Sequence, residues 1–146
     1  MMSFHAFNMG CNIIAFAKDN TKYGMCVSWA QMLDYDVISL LIGESSVTGK
    51  NIQIGDIVGV SALSKPQRDI ALRFGEHHSD TFDKFDQNDF FVENTAILIK
   101  DAKVTMKCKV IDVKHLDFSY QDYFVILRVL SSSTIPREEF LSLEEL

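Results

Sequence analysis

The chain has 146 residues with a formal net charge of −6, 47% apolar and 23% charged residues, 7 Gly and 2 Pro. That is one domain (1–146), large enough to bury a core without disulfides or a structural metal, and its balance excludes disorder and low complexity. An acidic chain of this kind is expected to bind neither nucleic acid nor a membrane surface, so any phosphate it holds must be held locally.

In chain order, Asn12–Lys18, Tyr23–Ala30 and Asp36–Gly43 are predicted as strands. The polar Asp19-Asn20-Thr21-Lys22 joins the first two as an antiparallel hairpin. In the second strand, alternation puts Met25, Val27 and Trp29 on one face and Cys26, Ser28 and Ala30 on the other. The run Val37–Ile42 is nearly continuous apolar, as in a strand covered on both sides. It is followed by the hydroxyl-rich Glu44-Ser45-Ser46-Val47-Thr48-Gly49-Lys50. Asn51–Gly55 then reads as a short helix with a hydroxyl cap before it and Gly55 at its end.

Asp56–Leu63 is predicted as the next strand. Ser64-Lys65-Pro66-Gln67 has the form of a capping box, opening a helix that runs to about Phe74, with Gly75 as a left-handed stop. The segment from Glu76 to Asn94, with His77, His78, Ser79 and Lys84, is expected to be a long functional loop. Val104–Ile111 and Tyr123–Leu130 form an antiparallel pair with a turn over Leu116–Asp122. The end of the chain, 135–146, reads as a short amphipathic helix or a tail whose apolar side packs on a partner subunit. Six or seven mostly antiparallel strands with two or three short helices make a mainly β, barrel-like domain.

Cys11, Cys26 and Cys108 are odd in number, far apart in sequence and form no CxxC, which fits reduced thiols in a cytoplasmic protein; no metal site is expected. Met1–Gly10 has no basic and apolar leader, and no run approaches the length of a spanning helix, so a cytoplasmic location without membrane insertion is expected.

Gly43 to Lys50 is not a nucleotide-triphosphate loop, because five residues separate its glycines and Asn51 follows the lysine. No GxGxxG or GxSxG is present either. The segment still suits an anion: a helix start leaves N–H groups unpaired, Ser45, Ser46 and Thr48 add hydroxyls, and Lys50 adds charge. The plainer alternative is that the serines only cap the helix and Lys50 points to water.

Taken in order, several pieces form a series: Tyr23-Gly24-Met25-Cys26-Val27-Ser28-Trp29-Ala30-Gln31, Ser45-Ser46-Val47-Thr48-Gly49-Lys50-Asn51-Ile52, Ala62-Leu63-Ser64, Asp69 to Gly75, and Ser79 through Asp83-Lys84-Phe85. This series resembles the flavin reductase-like family of FMN-binding split barrels, which includes flavoredoxin and the flavin domains of high-molecular-weight rubredoxins. The resemblance covers about Gly10 to Val129.

It implies a split β-barrel that binds FMN as a homodimer. It places Val27, Ser28, Trp29, Ala30 and Gln31 along the isoalloxazine, and Ser45, Ser46, Val47, Thr48 and Lys50 at the ribityl chain and phosphate. Ser79 and Lys84 would close the phosphate end. Donors near the N1 and O2 edge of a flavin stabilise its reduced anion, and backbone N–H groups suffice for this without a catalytic side chain.

The activity implied is an FMN-dependent oxidoreductase taking hydride from NADH or NADPH and passing electrons to free flavin or to a redox partner such as rubredoxin. Two alternatives remain: an FMN-binding electron carrier with no nicotinamide site, and a barrel whose site has become an interaction surface. Two departures from the family pattern bear on this. Asp34-Tyr35-Asp36 stands where many members have prolines, and the paired CxxC motifs of a rubredoxin domain are missing, so any iron centre lies on another protein.

Overall fold

In the computed structural model the described residues are 6–43, 45–76, 83–118 and 121–146. They form nine strands and two helices: β1 (Asn12–Lys18), β2 (Thr21–Val27), β3 (Ala30–Asp34), β4 (Val37–Ile42), α1 (Val47–Lys50), β5 (Ile57–Ala62), α2 (Arg68–Glu76), β6 (Phe90–Glu93), β7 (Ala96–Ile99), β8 (Val104–Asp117) and β9 (Gln121–Thr134). All pairings are antiparallel, in the order β3-β4-β9-β8-β5-β1-β7-β6, with β2 on the other edge of β1.

The sheet rolls up without closing. β2 pairs with β1, β4 pairs with β3 and β9, and β2 and β4 form no ladder; the β3–β4 pairing extends one rung further, with Leu41 N donating to the Trp29 carbonyl at 2.9 Å. The gap between β2 and β4 is the split in the barrel.

Two apolar clusters follow from strand alternation. Inside the barrel lie Ile14, Phe16, Val27, Ile38, Leu40, Ile42, Val58, Val60, Cys108, Val110, Val125 and Leu127. Outside it, Ile13 and Ala15 of β1 pack with Ile70, Ala71 and Phe74 of α2, Ile97 and Ile99 of β7, Phe85 and Leu141. β1 is therefore covered on both faces, which accounts for its apolar sequence.

The first hairpin is tighter than its polar composition suggests. Lys18 pairs with Thr21, and Asp19 and Asn20 alone make the turn, with φ of 52° and 64°. Both central residues are left-handed, the geometry that matches strand twist and that Asp and Asn tolerate best among side-chain-bearing residues.

Several expectations are corrected. The strand expected over Tyr23–Ala30 ends at Val27, and β3 begins separately at Ala30. Helix α1 occupies Val47–Lys50 rather than Asn51–Gly55, because Ser46 is its N-cap: the Ser46 Oγ accepts from Gly49 N at 2.7 Å. Gly55, with φ of 96°, sits in the following turn.

Half of the capping box forms, with Ser64 N donating to Gln67 Oε1 at 3.0 Å. The Ser64 hydroxyl instead donates to the Asp101 carbonyl, and α2 starts at Arg68. Gly75 is not a left-handed stop; it lies within α2, where a Cβ would meet Cys26 Cβ at 3.7 Å. The segment from Glu76 to Asn94 contains β6, which pairs with the unexpected β7 through Glu93 and Ala96.

The chain end docks on its own domain. Ser64 bridges Phe140, Gly10 bridges Ser142, Leu141 is buried in the outer cluster, and the only helical turn there is a 3₁₀ turn at Leu143–Glu145. The three cysteines are free. Cys11 and Cys108 are buried, and burial pushes the Cys108 thiol up to about 12. The hydrogen bond between the Cys11 and Cys26 thiols lowers the former and raises the latter.

Candidate functional site

At the split, the end of β2 and the start of β3 are joined by Ser28 and Trp29. Ala30 N turns back to the Ser28 carbonyl at 3.0 Å, which ends the β2 alternation. Val27 and Met25 therefore face the barrel interior, so Val27, which the resemblance placed along the isoalloxazine, is buried in the core and lines neither cleft, while Trp29 is 58% exposed and does not share their face. The carbonyls of Ser28 and Trp29 are both occupied, and the N–H groups of Ser28 and Trp29 have no acceptor among the described residues.

Ser28–Gln31 separates two clefts. The outer cleft, about 690 Å³, is lined by Ser28, Trp29, Ala30 and Gln31, by Ser39 and Leu41 from the outer face of β4, by Leu116 and Phe124 from the β8–β9 arm, and by residues 6–9. The other cleft, about 830 Å³, opens at the barrel mouth and is floored by inner-face residues such as Ile38, Leu40 and Val60.

β4 links the outer cleft to the hydroxyl-rich turn. It passes Trp29 at Leu41 and then delivers the chain through Gly43 to α1. In α1 the Ser46 hydroxyl is consumed by its own cap, Thr48 is 2% exposed, and Ser45 and Lys50 are exposed. Gly49 is required here, since a Cβ would come 2.7 Å from Ser46 Oγ and 2.9 Å from Ile42 Cγ2. Lys50 sits in the last turn of α1, where its charge complements the carbonyl end, rather than at the N–H end. Among the described residues, the N–H groups of Val47 and Thr48 carry no acceptor, as expected for the first turn of a helix.

The structure thus brings Ser28, Trp29, Ala30 and Gln31 together on one cleft and sets Ser45, Ser46, Val47, Thr48 and Lys50 at the end of the strand that walls it. Lys84 stands elsewhere. It is 2% exposed, and its Nζ donates to the Gly24 carbonyl at 2.7 Å and the Phe74 carbonyl at 3.2 Å. Burial lowers its pKa to about 8, with Cys26 pulling weakly the other way. The role that the resemblance implied for Lys84, closing a phosphate site, is not the geometry its ammonium takes here. Ser79, His77 and His78 lie outside the described residues.

The cleft residues Ser39, Leu41, Leu116 and Phe124 were not singled out from sequence. Ser39 carried a signal: it is the one hydroxyl in the apolar run Val37–Ile42, and it lies buried at 4% exposure with its Oγ 3.5 Å from the Gln31 carbonyl.

The profile of the family described as "Flavin reductase like domain" matches residues 4–141. The chain belongs to this family. A comparison with curated proteins finds no match. Among solved structures, the flavin reductase-like chain is similar to the NADH:FAD oxidoreductase SgcE6 of Streptomyces globisporus C-1027, with 18% identity and a TM-score of 0.81 over 92% of this chain and 80% of that one. Flavoredoxin of Methanosarcina acetivorans is 14% identical, with a TM-score of 0.77 over 95% of this chain and 87% of that one. The FMN-binding protein of Thermus thermophilus is 12% identical, with a TM-score of 0.77 over 94% and 83%. At these identities the likeness shows the fold, and the open, antiparallel sheet is that of the flavin reductase-like split barrel.

Proposed function

We propose that this flavin reductase-like chain is an FMN-dependent oxidoreductase that takes hydride from NADH or NADPH and passes electrons to free flavin or to a redox protein. The observation that carries this reading is the placement of the uncharged cleft along Ser28–Gln31 on the same strand, β4, that leads into the hydroxyl-rich turn Ser45–Lys50. A flavin nucleotide has the matching polarity, a flat ring at one end and a phosphate at the other.

The donor set fits such a group. The unpaired N–H groups of Ser28 and Trp29 donate to the edge of the ring, Trp29 and Leu41 supply apolar cover, and Gln31 offers an amide. The first-turn N–H groups of Val47 and Thr48, with the exposed Ser45 hydroxyl and Lys50 ammonium, receive the phosphate. Bound FMN supplies the two-electron acceptor that no side chain provides. The protein excludes water from one side of the ring and fixes its orientation.

Because Thr48 is buried and Ser46 is committed to its cap, the side chains free to hold phosphate are Ser45 and Lys50. The double variant Ser45→Ala, Lys50→Ala weakens FMN binding by about 1–3 kcal/mol in a fluorescence titration. Unchanged affinity would move the phosphate elsewhere.

Titrating the purified protein with FMN and then adding NADH tests the activity. Retained yellow flavin with NADH oxidation faster than free FMN supports is the expected result. Protein that binds no flavin overturns the reading altogether. Tight flavin binding with no NADH or NADPH oxidation favours the electron-carrier alternative, to which the likeness to flavoredoxin adds weight.

The protein works as a homodimer in this reading. Trp29, Met32, Leu33 and Tyr35 are 58%, 62%, 48% and 98% exposed around β3, a concentration of apolar surface that calls for cover. Leu33→Glu is expected to convert a dimer to a monomer in sedimentation velocity. A redox partner with an iron centre, such as rubredoxin, is a candidate acceptor in this reading. A cytoplasmic location accords with three free thiols.

A further inference from the structure

We propose that the barrel-mouth cleft is a second binding site, distinct from the flavin cleft, that takes an uncharged aromatic molecule of about two rings. Three observations carry this.

The two clefts lie on opposite faces of one strand. Ser39 and Leu41 of β4 face the outer cleft, whereas Ile38 and Leu40 face the mouth, so a molecule in one is separated from a molecule in the other by the thickness of the sheet. Asn8, Met9, Ser28, Ala30 and Gln31 border both. The mouth is thus a separate volume that adjoins the flavin cleft.

Its lining contains no Asp, Glu, Lys or Arg, in a chain with 34 such residues. The floor is Leu40, Val60, Ala62 and Met106, and Phe140 adds an aromatic ring to the lining. An anion placed on this floor would lose its hydration with no cation to replace it, which costs far more than a neutral ring does. A dinucleotide or a phosphorylated ligand is thereby disfavoured. The outer cleft is also lined by uncharged residues, but β4 leads from it to Lys50 and the α1 N–H groups, which the mouth does not adjoin.

A few polar groups converge on an otherwise apolar cavity: Asn12, Ser28, Gln31 and Ser132 line it. The Asn12 amide nitrogen donates to the Val27 carbonyl at 3.0 Å, which fixes that side chain across the mouth and leaves its carbonyl oxygen as an acceptor for a ligand hydroxyl. Apolar walls with a small number of fixed polar groups are the usual character of a small-molecule site. The flexible thioethers of Met9 and Met106 let the walls adapt to ring shape.

Binding at the mouth does not require the outer cleft to hold flavin; only the nature of its neighbour rests on that reading. The test is calorimetric titration of the full-length protein, with and without saturating FMN, using 1-naphthol and its charged analogue 1-naphthoate. One site per chain for 1-naphthol, present with or without FMN, is expected, with 1-naphthoate weaker by about tenfold or more.

Ala62→Phe fills the floor and Ser132→Asp puts a charge on an exposed wall position. Each lowers 1-naphthol affinity by about tenfold or more and leaves the FMN titration unchanged. Because Ser132 is exposed, its variant remains informative if Ala62→Phe fails to fold. Absence of 1-naphthol binding, equal affinity for 1-naphthoate, displacement of 1-naphthol by FMN, or insensitivity to Ser132→Asp overturns the proposal. Naphthol binding that responds to these variants in a protein that binds no FMN would sustain this site while refuting the flavin reading.

Discussion

Gly59→Ala is expected to destabilise the protein by about 3 kcal/mol or more, a large share of the roughly 5–15 kcal/mol available to a domain of this size. Gly59 faces out of the barrel in β5, opposite Ala15 of β1, at the point where β1 exchanges β5 for β7 as its neighbour. A Cβ there would collide with the carbonyl carbon and oxygen of Ile97 and would stand 2.9 Å from Leu98 Cδ2. Main chain cannot rotate away, and Ile97 is held in the β6–β7 hairpin through its pairing with Val92.

Gly24 provides the control. A Cβ at Gly24 would meet the rings of Phe74 and Phe85 at 2.8 and 2.9 Å, and side chains can shift, so Gly24→Ala should cost less, about 1–3 kcal/mol. Urea unfolding of the three proteins followed by fluorescence measures the order. A Gly59→Ala midpoint equal to or above that of Gly24→Ala would contradict the account of backbone contact.

The strands that sequence made legible are those whose environment is uniform. β1, β4 and β5 are covered along most of their length, so a nearly continuous apolar run marks them within a residue or two. β3 gave no such signal because all five of its residues are exposed, and its existence depends on pairing with β4. β7 is four apolar residues after a two-residue connection, too short for its period to register, and it is fixed by the outer cluster. β8 and β9 were seen in part. Their register shifts between Lys107 and Cys108 and between Val110 and Asp112, and each irregularity resets the alternation on which the reading relied.

The candidate site was read by a different route. Ser28–Gln31 and Ser45–Lys50 were marked by resemblance, while composition gave only an anion-friendly turn. The geometry adds how the two connect, since β4 carries one to the other. It also redistributes the turn's chemistry: Ser46 caps, Thr48 is buried, and Ser45 and Lys50 stay exposed. Lys84 was placed by resemblance alone, because a lysine beside a phosphate and a lysine pinned under a helix look alike in sequence. What distinguishes them is Gly24, whose missing side chain leaves room for Phe74 and Phe85, with the Lys84 ammonium on its carbonyl.

The stability of the protein should therefore depend on pH through Lys84. Its pKa lies at about 8 in the folded state and 10.5 as an ordinary lysine. Between these values the unfolded chain binds more protons than the folded one, so stability rises with pH across that window. The contribution is complete above 10.5 and is lost as pH falls through 8. At about 1.4 kcal/mol per unit, the full swing is up to about 3 kcal/mol.

Other groups titrate in the same range. The raised thiols of Cys26 and Cys108 act in the opposite sense, because their unfolded forms ionise first. The comparison that isolates Lys84 is with Lys84→Met, which keeps most of the side-chain volume and removes the proton site. Wild type should gain on the variant by about 2 kcal/mol between pH 8 and pH 10 in urea unfolding. A difference that stays constant over that interval would mean that the Lys84 ammonium is charged at its ordinary pKa, and that the Gly24 and Phe74 carbonyls replace its hydration in full.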